Sequence, residues 1–386
     1  MTLFETQPEL SSSPLSETEK LNWLRLIRTE NVGPITFYKL IERYGSASKA
    51  LEALPELSKK GGKRKELKAP ALSTVEKELE NLQKIGGNII CASEKNYPIS
   101  LAACDDAPPV LTYIGDIKLS KASCLGIVGA RNASLNGKKF ANKLAAELGK
   151  KDQIIISGLA RGIDTAAHEG SLQTGTIAVV AGGIDIVYPR ENQKLYEQIC
   201  EQGLVLAESP LGTEPIARHF PKRNRIVSGL SSGVIVIEAT MRSGSLITAR
   251  LAAEQGRDVY AVPGYPADPR AAGPNKLIQD GATLVQNADD ILRHLTEFSG
   301  GKSLNDRIKI QAEPPYEPAN DSYEEPTQNA HDLILQNLSQ MPISIDELIQ
   351  ACHVTIPEMQ MILLELELAG RLQRLTGGRV ALLDKE

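Results

Sequence analysis

The chain contains no apolar run near the roughly 18 residues that a membrane-spanning helix requires, so a membrane protein is not expected. Its first twenty residues, MTLFETQPELSSSPLSETEK, lack a basic segment followed by an apolar one. No secretory signal is read there, and a cytoplasmic location is expected. Cysteine is scarce: Cys91, Cys104, Cys124, Cys200 and Cys352 lie far apart with no C-x-x-C pair, a spacing that fits neither a disulfide scaffold nor a cysteine zinc site. Aromatic residues make up 4% of the 386 positions, so an extended platform of rings for stacking bases is not expected. An excess of positive charge is missing too. At a net charge of −5, any surface for nucleic acid must be a local patch on an acidic molecule.

What is present divides along the chain. Ser16-x-x-Glu19 has the form of a capping box, and the Leu21, Leu24, Ile27 spacing predicts a helix over about 17–29. A tight Asn31-Val32-Gly33-Pro34 turn, a second helix to Tyr44 and a third after Ser46 complete an all-α unit over 1–75. Helix, Val-Gly-Pro turn and helix resemble a helix-hairpin-helix element, which either holds a phosphate on its turn amides or serves only for packing. Lys59–Lys68 carries six basic residues and reads as a mobile positive loop. Within 76–298, short β-branched runs (126–128, 154–156, 176–180, 204–207, 234–237, 259–262) alternate with helical stretches. That alternation predicts an α/β core with a parallel sheet covered on both faces. Residues 299–328, rich in Pro, Gly and acids, read as a linker. Three helices, the second and third opened by the capping boxes Ser344-x-x-Glu347 and Thr355-x-x-Glu358, and a hairpin around Gly377-Gly378 then make 329–386 resemble a winged helix. Its third helix, Pro357–Ala369, has no Lys or Arg and three glutamates, so DNA phosphates would repel it. A packing or protein-contact role is favoured for this part.

Ligands of open α/β sheets bind beyond the carboxyl ends of the strands. Here those ends read Gly129-Ala130-Arg131, Ser157-Gly158-Leu159-Ala160-Arg161-Gly162, Ala181-Gly182-Gly183 and Arg242-Ser243-Gly244-Ser245. Glycine admits close backbone approach and arginine forks onto phosphate, so together they suggest one anion-binding crevice. The densest basic segment is Arg218–Arg225 (RHFPKRNR), with no acidic residue between Glu214 and Glu238. Its arginines either bind an anion or pair with carboxylates elsewhere in the fold. Neither G-x-G-x-x-G nor a Walker loop occurs, and no cofactor or metal is expected. Asp164 and His168, at i and i+4, are read first as a hydrogen-bonded structural pair rather than a metal site, and Glu238 or Asp164 as the general base of an alternative nucleotide-binding hydrolase. Phe220 and Phe140 are either base contacts or core residues.

The segments Gly126–Asn132, Ser157–His168, Thr176–Asn192, His219–Leu230, Met241–Ala252 and Gly256–Gly264 together resemble the DNA-processing protein A family (DprA, also called Smf). The resemblance implies an extended Rossmann-like core that forms homodimers. It further implies a non-enzymatic protein that binds and protects single-stranded DNA and loads the RecA recombinase in natural transformation. The residues expected at the DNA are Arg131, Ser157, Gly158, Arg161, Gly162, Arg190, Phe220, Lys222, Arg223, Asn224, Arg225, Arg242, Ser243, Gly244 and Ser245. Many relatives carry lysine at the position of Arg190, which keeps the charge and changes the donor geometry.

Overall fold

The computed structural model describes residues 15–62, 67–299, 328–375 and 377–383. Contacts divide the described residues into two compact units: one runs from 77 to 299, and the other joins those before it to the C-terminal ones from 328 on.

The second of these begins with α1 (Glu17–Ile27), α2 (Pro34–Tyr44) and α3 (Ala47–Lys60). Ser16 caps α1 as its sequence predicts, but only half of the capping box forms. Glu19 turns away to accept from the Ala47 amide at 2.6 Å, so one helix supplies the anion at the N-terminus of another. Trp23 and Phe37 meet edge to face at 4.9 Å in the middle of the helical core. Lys59 and Lys60 extend α3 rather than opening the expected basic loop, whose residues 63–66 lie outside the described residues. So does nearly all of the expected linker.

The larger unit follows. In order come α4 (Leu72–Lys84), β1 (Asn88–Cys91), α5 (Ile99–Ala102), β2 (Val110–Gly115), β3 (Cys124–Gly129), α6 (Leu135–Gly149), β4 (Ile154–Ser157) and α7 (Ile163–Ser171). Then come β5 (Thr176–Val179), α8 (Gln193–Gln202), β6 (Leu204–Ala207), α9 (His219–Leu230), β7 (Gly233–Ile237), α10 (Gly244–Glu254), β8 (Asp258–Ala261), α11 (Ala272–Gln279), β9 (Thr283–Leu284) and α12 (Ala288–Ser299). The nine strands lie in the order β1-β2-β6-β5-β4-β3-β7-β8-β9, parallel from β6 to β9. From β3 the chain steps outward to β6, and α9 carries it back across to β7 on the other side of β3. The strand order therefore reverses between β3 and β7, where a Rossmann-like sheet opens its crevice. Strands β1, β2 and β9 were not among the sequence expectations. The first two are antiparallel additions at the β6 edge, and β9 has only two residues.

Burial explains the continuous apolar strands. In β7, Val234 and Val236 pack with Ile226, Val227 and Ala249 beneath α9 and α10, while Ile235 and Ile237 pack with Leu144, Ile163 and Ile291 beneath α6, α7 and α12. Both faces are dry, so no polar alternation survives, and each such side chain contributes about 1.5–3 kcal/mol.

The C-terminal segment supplies α13 (Gln328–Asn337), β10 (Ile343–Ser344), α14 (Ile345–Cys352), α15 (Ile356–Leu368), β11 (Leu372–Leu375) and β12 (Arg379–Leu382). Both capping boxes close in both directions, Ser344 with Glu347 and Thr355 with Glu358. Gly377 and Gly378 turn the hairpin with φ of 78° and 64°, values that suit glycine. The acidic helix α15 is buried on two sides. Ile362, Leu363 and Leu366 fill the winged-helix core, and the far side lies on α3. There the Asn31 side chain donates to the Leu368 carbonyl at 3.2 Å and Arg371 to the Gly61 carbonyl at 3.3 Å. The helix that would enter a DNA groove in other winged helices is here a packing element.

A Cβ on Gly61 would stand 2.0 Å from the Glu365 carbonyl oxygen. Gly61→Val should therefore loosen the α3–α15 contact by about 1–3 kcal/mol. Hydrogen exchange should quicken in α15 while amides of β3 and β7 keep their protection; unchanged protection of α15 would count against this packing.

Candidate nucleic-acid interface

At the carboxyl ends of β3, β4, β5 and β7, loops from distant parts of the chain touch. Gly162, with φ of 81°, sits against the backbone of Ala130 and Arg131, where a Cβ would come within 2.3 Å of the Ala130 oxygen. Gly158 lies against the guanidinium of Arg223, and a Cβ there would stand 1.8 Å from Nη1. Asn224 donates to the Gly244 carbonyl at 3.4 Å, joining α9 to the turn before α10. Arg131 lies over the Phe220 ring at 4.9 Å, and Phe220 meets Tyr188 edge to face at 5.9 Å. The segments around 131, 158–162, 188, 220–224 and 243–245 thus form one surface.

The arginines of the RHFPKRNR segment divide into two kinds. Arg223 is 6% exposed and donates to the Val179 carbonyl at the end of β5, at 2.6 Å. Burial pulls its pKa down to about 10, an effect that nearby Asp164 opposes and Arg131 reinforces. Arg225 is 8% exposed and bonds the Glu208 carboxylate at 2.5 Å, the Asp106 carboxylate at 3.5 Å and the Asp106 carbonyl. These two guanidiniums, expected at the DNA, are internal braces, because α9 is covered on more than one side: Arg223 and every residue from Arg225 to Leu230 are buried. Ser157 is corrected likewise: it is fully buried, with its hydroxyl given to the Ile127 carbonyl at 2.6 Å. The Gly158 amide is also taken, donating to Asp164 at 3.1 Å. Arg161 is on the surface but faces Glu191, at 2.9 Å.

Arg131, Arg190, Arg218, Lys222 and Arg242 remain exposed, and none forms a salt bridge with a described residue. Arg218 lies in the basic segment but outside the residues that the sequence assigns to the site, and Tyr188 was missed because an isolated tyrosine carries no sequence pattern. Arg218 and Lys222 stand at the first turn of α9, where the helix dipole is already positive. Two cations there disfavour each other and the helix, a repulsion that a nearby negative charge would relieve. At α10, no side chain caps the N-terminus; Ser243 and Ser245 hydroxyls bond each other at 2.9 Å, and Gly244 has open space above it. The first amides of α10 are consequently available to an acceptor.

The N-terminus of α6 is closed by contrast. Glu238, left-handed at φ 49°, accepts from the Ser134 amide at 2.8 Å and the Ser134 hydroxyl at 2.5 Å. Asp164 and His168 do not bond each other. Asp164 accepts from the Gly158 and Ala160 amides, and burial pushes its carboxyl up. His168 shares a hydrogen bond with Thr176 at 2.7 Å, and burial followed by the charge of Arg223 lowers its pKa to about 3. Both carboxylates named as candidate bases already accept hydrogen bonds from backbone amides.

Fold and site define a Rossmann-like protein with a cationic, glycine-lined groove at its switch point and a second compact unit built from the two ends of the chain. The DNA recombination-mediator protein A family matches residues 88–296, the DprA-like N-terminal HHH domain 17–81, and the DprA winged helix domain 317–378. Similar proteins include the DNA processing protein DprA of Bacillus subtilis, 48% identical over 55% of this chain and 72% of its own, and protein Smf of Escherichia coli, 37% identical over 80% and 81%. Among solved structures, DprA from Streptococcus pneumoniae is 36% identical with a TM-score of 0.62, over 73% of this chain and 98% of its own. DprA from Helicobacter pylori, described for its single-stranded DNA binding mode, is 31% identical with a TM-score of 0.51, over 55% and 96%. The chain belongs to the DNA recombination-mediator protein A family, DprA/Smf.

Removing Arg225 would strand Glu208 and Asp106. Arg225→Ala should cost about 3–5 kcal/mol of stability, the range for breaking a buried ion pair. Lys222→Ala, three residues away and exposed, should change stability by less than about 0.5 kcal/mol. Urea unfolding of the two variants decides the matter, and similar midpoints would contradict the assignment of Arg225 as a brace.

Proposed function

We propose that this protein binds single-stranded DNA along the crevice, shields it, and passes it to the RecA recombinase in natural transformation or recombination. The observation that carries the reading is the set of exposed cations around the uncapped end of α10 that have no ion-pair partner among the described residues. Arg131 over Phe220 adds a ring and a guanidinium already oriented at the mouth. Phosphates of a flexible strand can reach Arg131, Arg190, Lys222 and Arg242 in turn, with the Gly244 and Ser245 amides as further donors. A rigid duplex cannot follow such a bent set of loops as closely. Asn224, Gly162 and Ser243 hold these loops together rather than offering charge. Phe220, half-buried and bracketed by Tyr188 and Arg131, is the ring on which one base stacks.

The single-strand binding mode described for the H. pylori relative and the mediator role in the family's description support this reading. The engagement of Glu238 and Asp164 favours binding over catalysis. The homodimer implied by the resemblance belongs to the same proposal, and the two-residue edge strand β9, with Leu284 exposed, leaves a sheet edge for a second copy.

Fluorescence anisotropy with labelled oligothymidylate should give tighter binding than to a duplex of equal length. Each neutralised phosphate contributes a salt slope of about −0.7. Replacing Arg131, Lys222 and Arg242 together with alanine should weaken binding at low salt and flatten the slope by about two. An unchanged slope, or equal affinity for duplex, would refute the proposal.

A further inference from the structure

A cavity of about 300 Å³ opens where β7 and β8 end, on the α6 side of the sheet. That volume is at the small end for ligand sites and suits a base or nucleoside. Phe140 and Tyr265 are aromatic walls, and Glu238, Arg270 and Asp268 are its charged groups. Arg270 is held by Asp268 through Nε at 3.1 Å and Nη2 at 2.9 Å, so its guanidinium is already forked onto a carboxylate. Two carboxylates against one guanidinium leave the cavity negative. A phosphate would be repelled, unlike in the cationic groove on the other flank of the Arg131–Ser134 loop.

A flat, uncharged ring that offers hydrogen-bond donors is what these walls accept. Glu238 is held in position to receive them. Ser134 donates once to each of its two oxygens, and Gly137 permits the carboxylate to lie on the helix end, where a Cβ would stand 2.6 Å away. Of about four lone-pair sites on a carboxylate, about half stay open. Guanine presents two donors side by side, N1–H and N2–H, which match two carboxylate oxygens. Thymine offers one donor between two acceptors, while adenine and cytosine each place an acceptor beside their amino group. The geometry points to a guanine pocket, with Glu238 reading the base edge and Phe140 and Tyr265 enclosing the ring. It rests on the single-strand reading of the adjoining crevice, since Arg131 and Ser134 are only three positions apart. A strand whose phosphate lies on Arg131 would have a neighbouring base within reach. The protein would then prefer guanine at one position of an otherwise unselective strand.

Saturation-transfer NMR on the full chain, with each of the four deoxynucleosides and deoxyinosine as probes, tests this without any strand. Deoxyguanosine should bind on the order of tenfold more tightly than deoxyadenosine, deoxycytidine or thymidine, with deoxyinosine, which lacks the N2 amino group, in between. Glu238→Gln should abolish the preference. Tyr265 is 76% exposed, so Tyr265→Ala should spare the fold and still weaken deoxyguanosine. Equal binding of all five, or binding of none, would overturn the pocket. Oligothymidylate contains no guanine, so its failure to bind would sink the strand reading alone, and the nucleoside result would stand apart from it.

Discussion

The guanidinium of Arg223 is the interaction on which the groove depends. Buried between the last carbonyl of β5 and the flat backbone at Gly158, it fixes α9 to two strand ends at once. With that side chain inside, the helix must present Lys222 outward on its next face and Phe220 to the loop that carries Arg131. Arg225 repeats the device one step along, tying α9 to Glu208 after β6 and to Asp106. A run of basic residues therefore does two jobs. Half of it holds the helix, and the other half is held out by it.

This division also accounts for electrostatics that look unfavourable in isolation. The charge of Arg131 adds to the burial that loosens the hold of Arg223 on its proton, and cations crowd the positive end of α9. A fold tolerates such repulsion where rigid packing enforces it. Here the enforcing elements are the dry helix–sheet layers on both faces of β3 and β7. The same switch point treats its two helix ends differently: an internal carboxylate, Glu238, closes α6, while α10 is left open. A donor-seeking cavity and an anion-seeking groove can thus lie on either side of one short loop.

Much of this was legible in the sequence. β-Branched runs at regular spacing gave the parallel sheet, because both faces of each strand need apolar cover. The Ser344 and Thr355 capping boxes, with their glutamates three residues on, placed two helix starts, since local hydrogen bonds decide helix ends. The clustering of glycine and arginine at strand ends located the groove. What could not be read was which arginine faces inward. Lys222, Arg223 and Arg225 share one basic run, and only the docking angle of α9 distinguishes them. Ser157 looked like a turn residue and is the buried last position of β4. Nor could the sequence show that the acidic third helix of the winged domain would lie on α3, because that contact joins residues about three hundred positions apart.

The central claim is that strand contact is made by the outward half of the RHFPKRNR segment together with Arg131. Photo-cross-linking with a bromodeoxyuridine-substituted oligonucleotide, followed by peptide mapping, tests it most directly. The account predicts adducts at Phe220 or Tyr188, the rings beside Arg131. Adducts confined to the winged-helix hairpin or to the α2 turn, with none in 188–225, would contradict it.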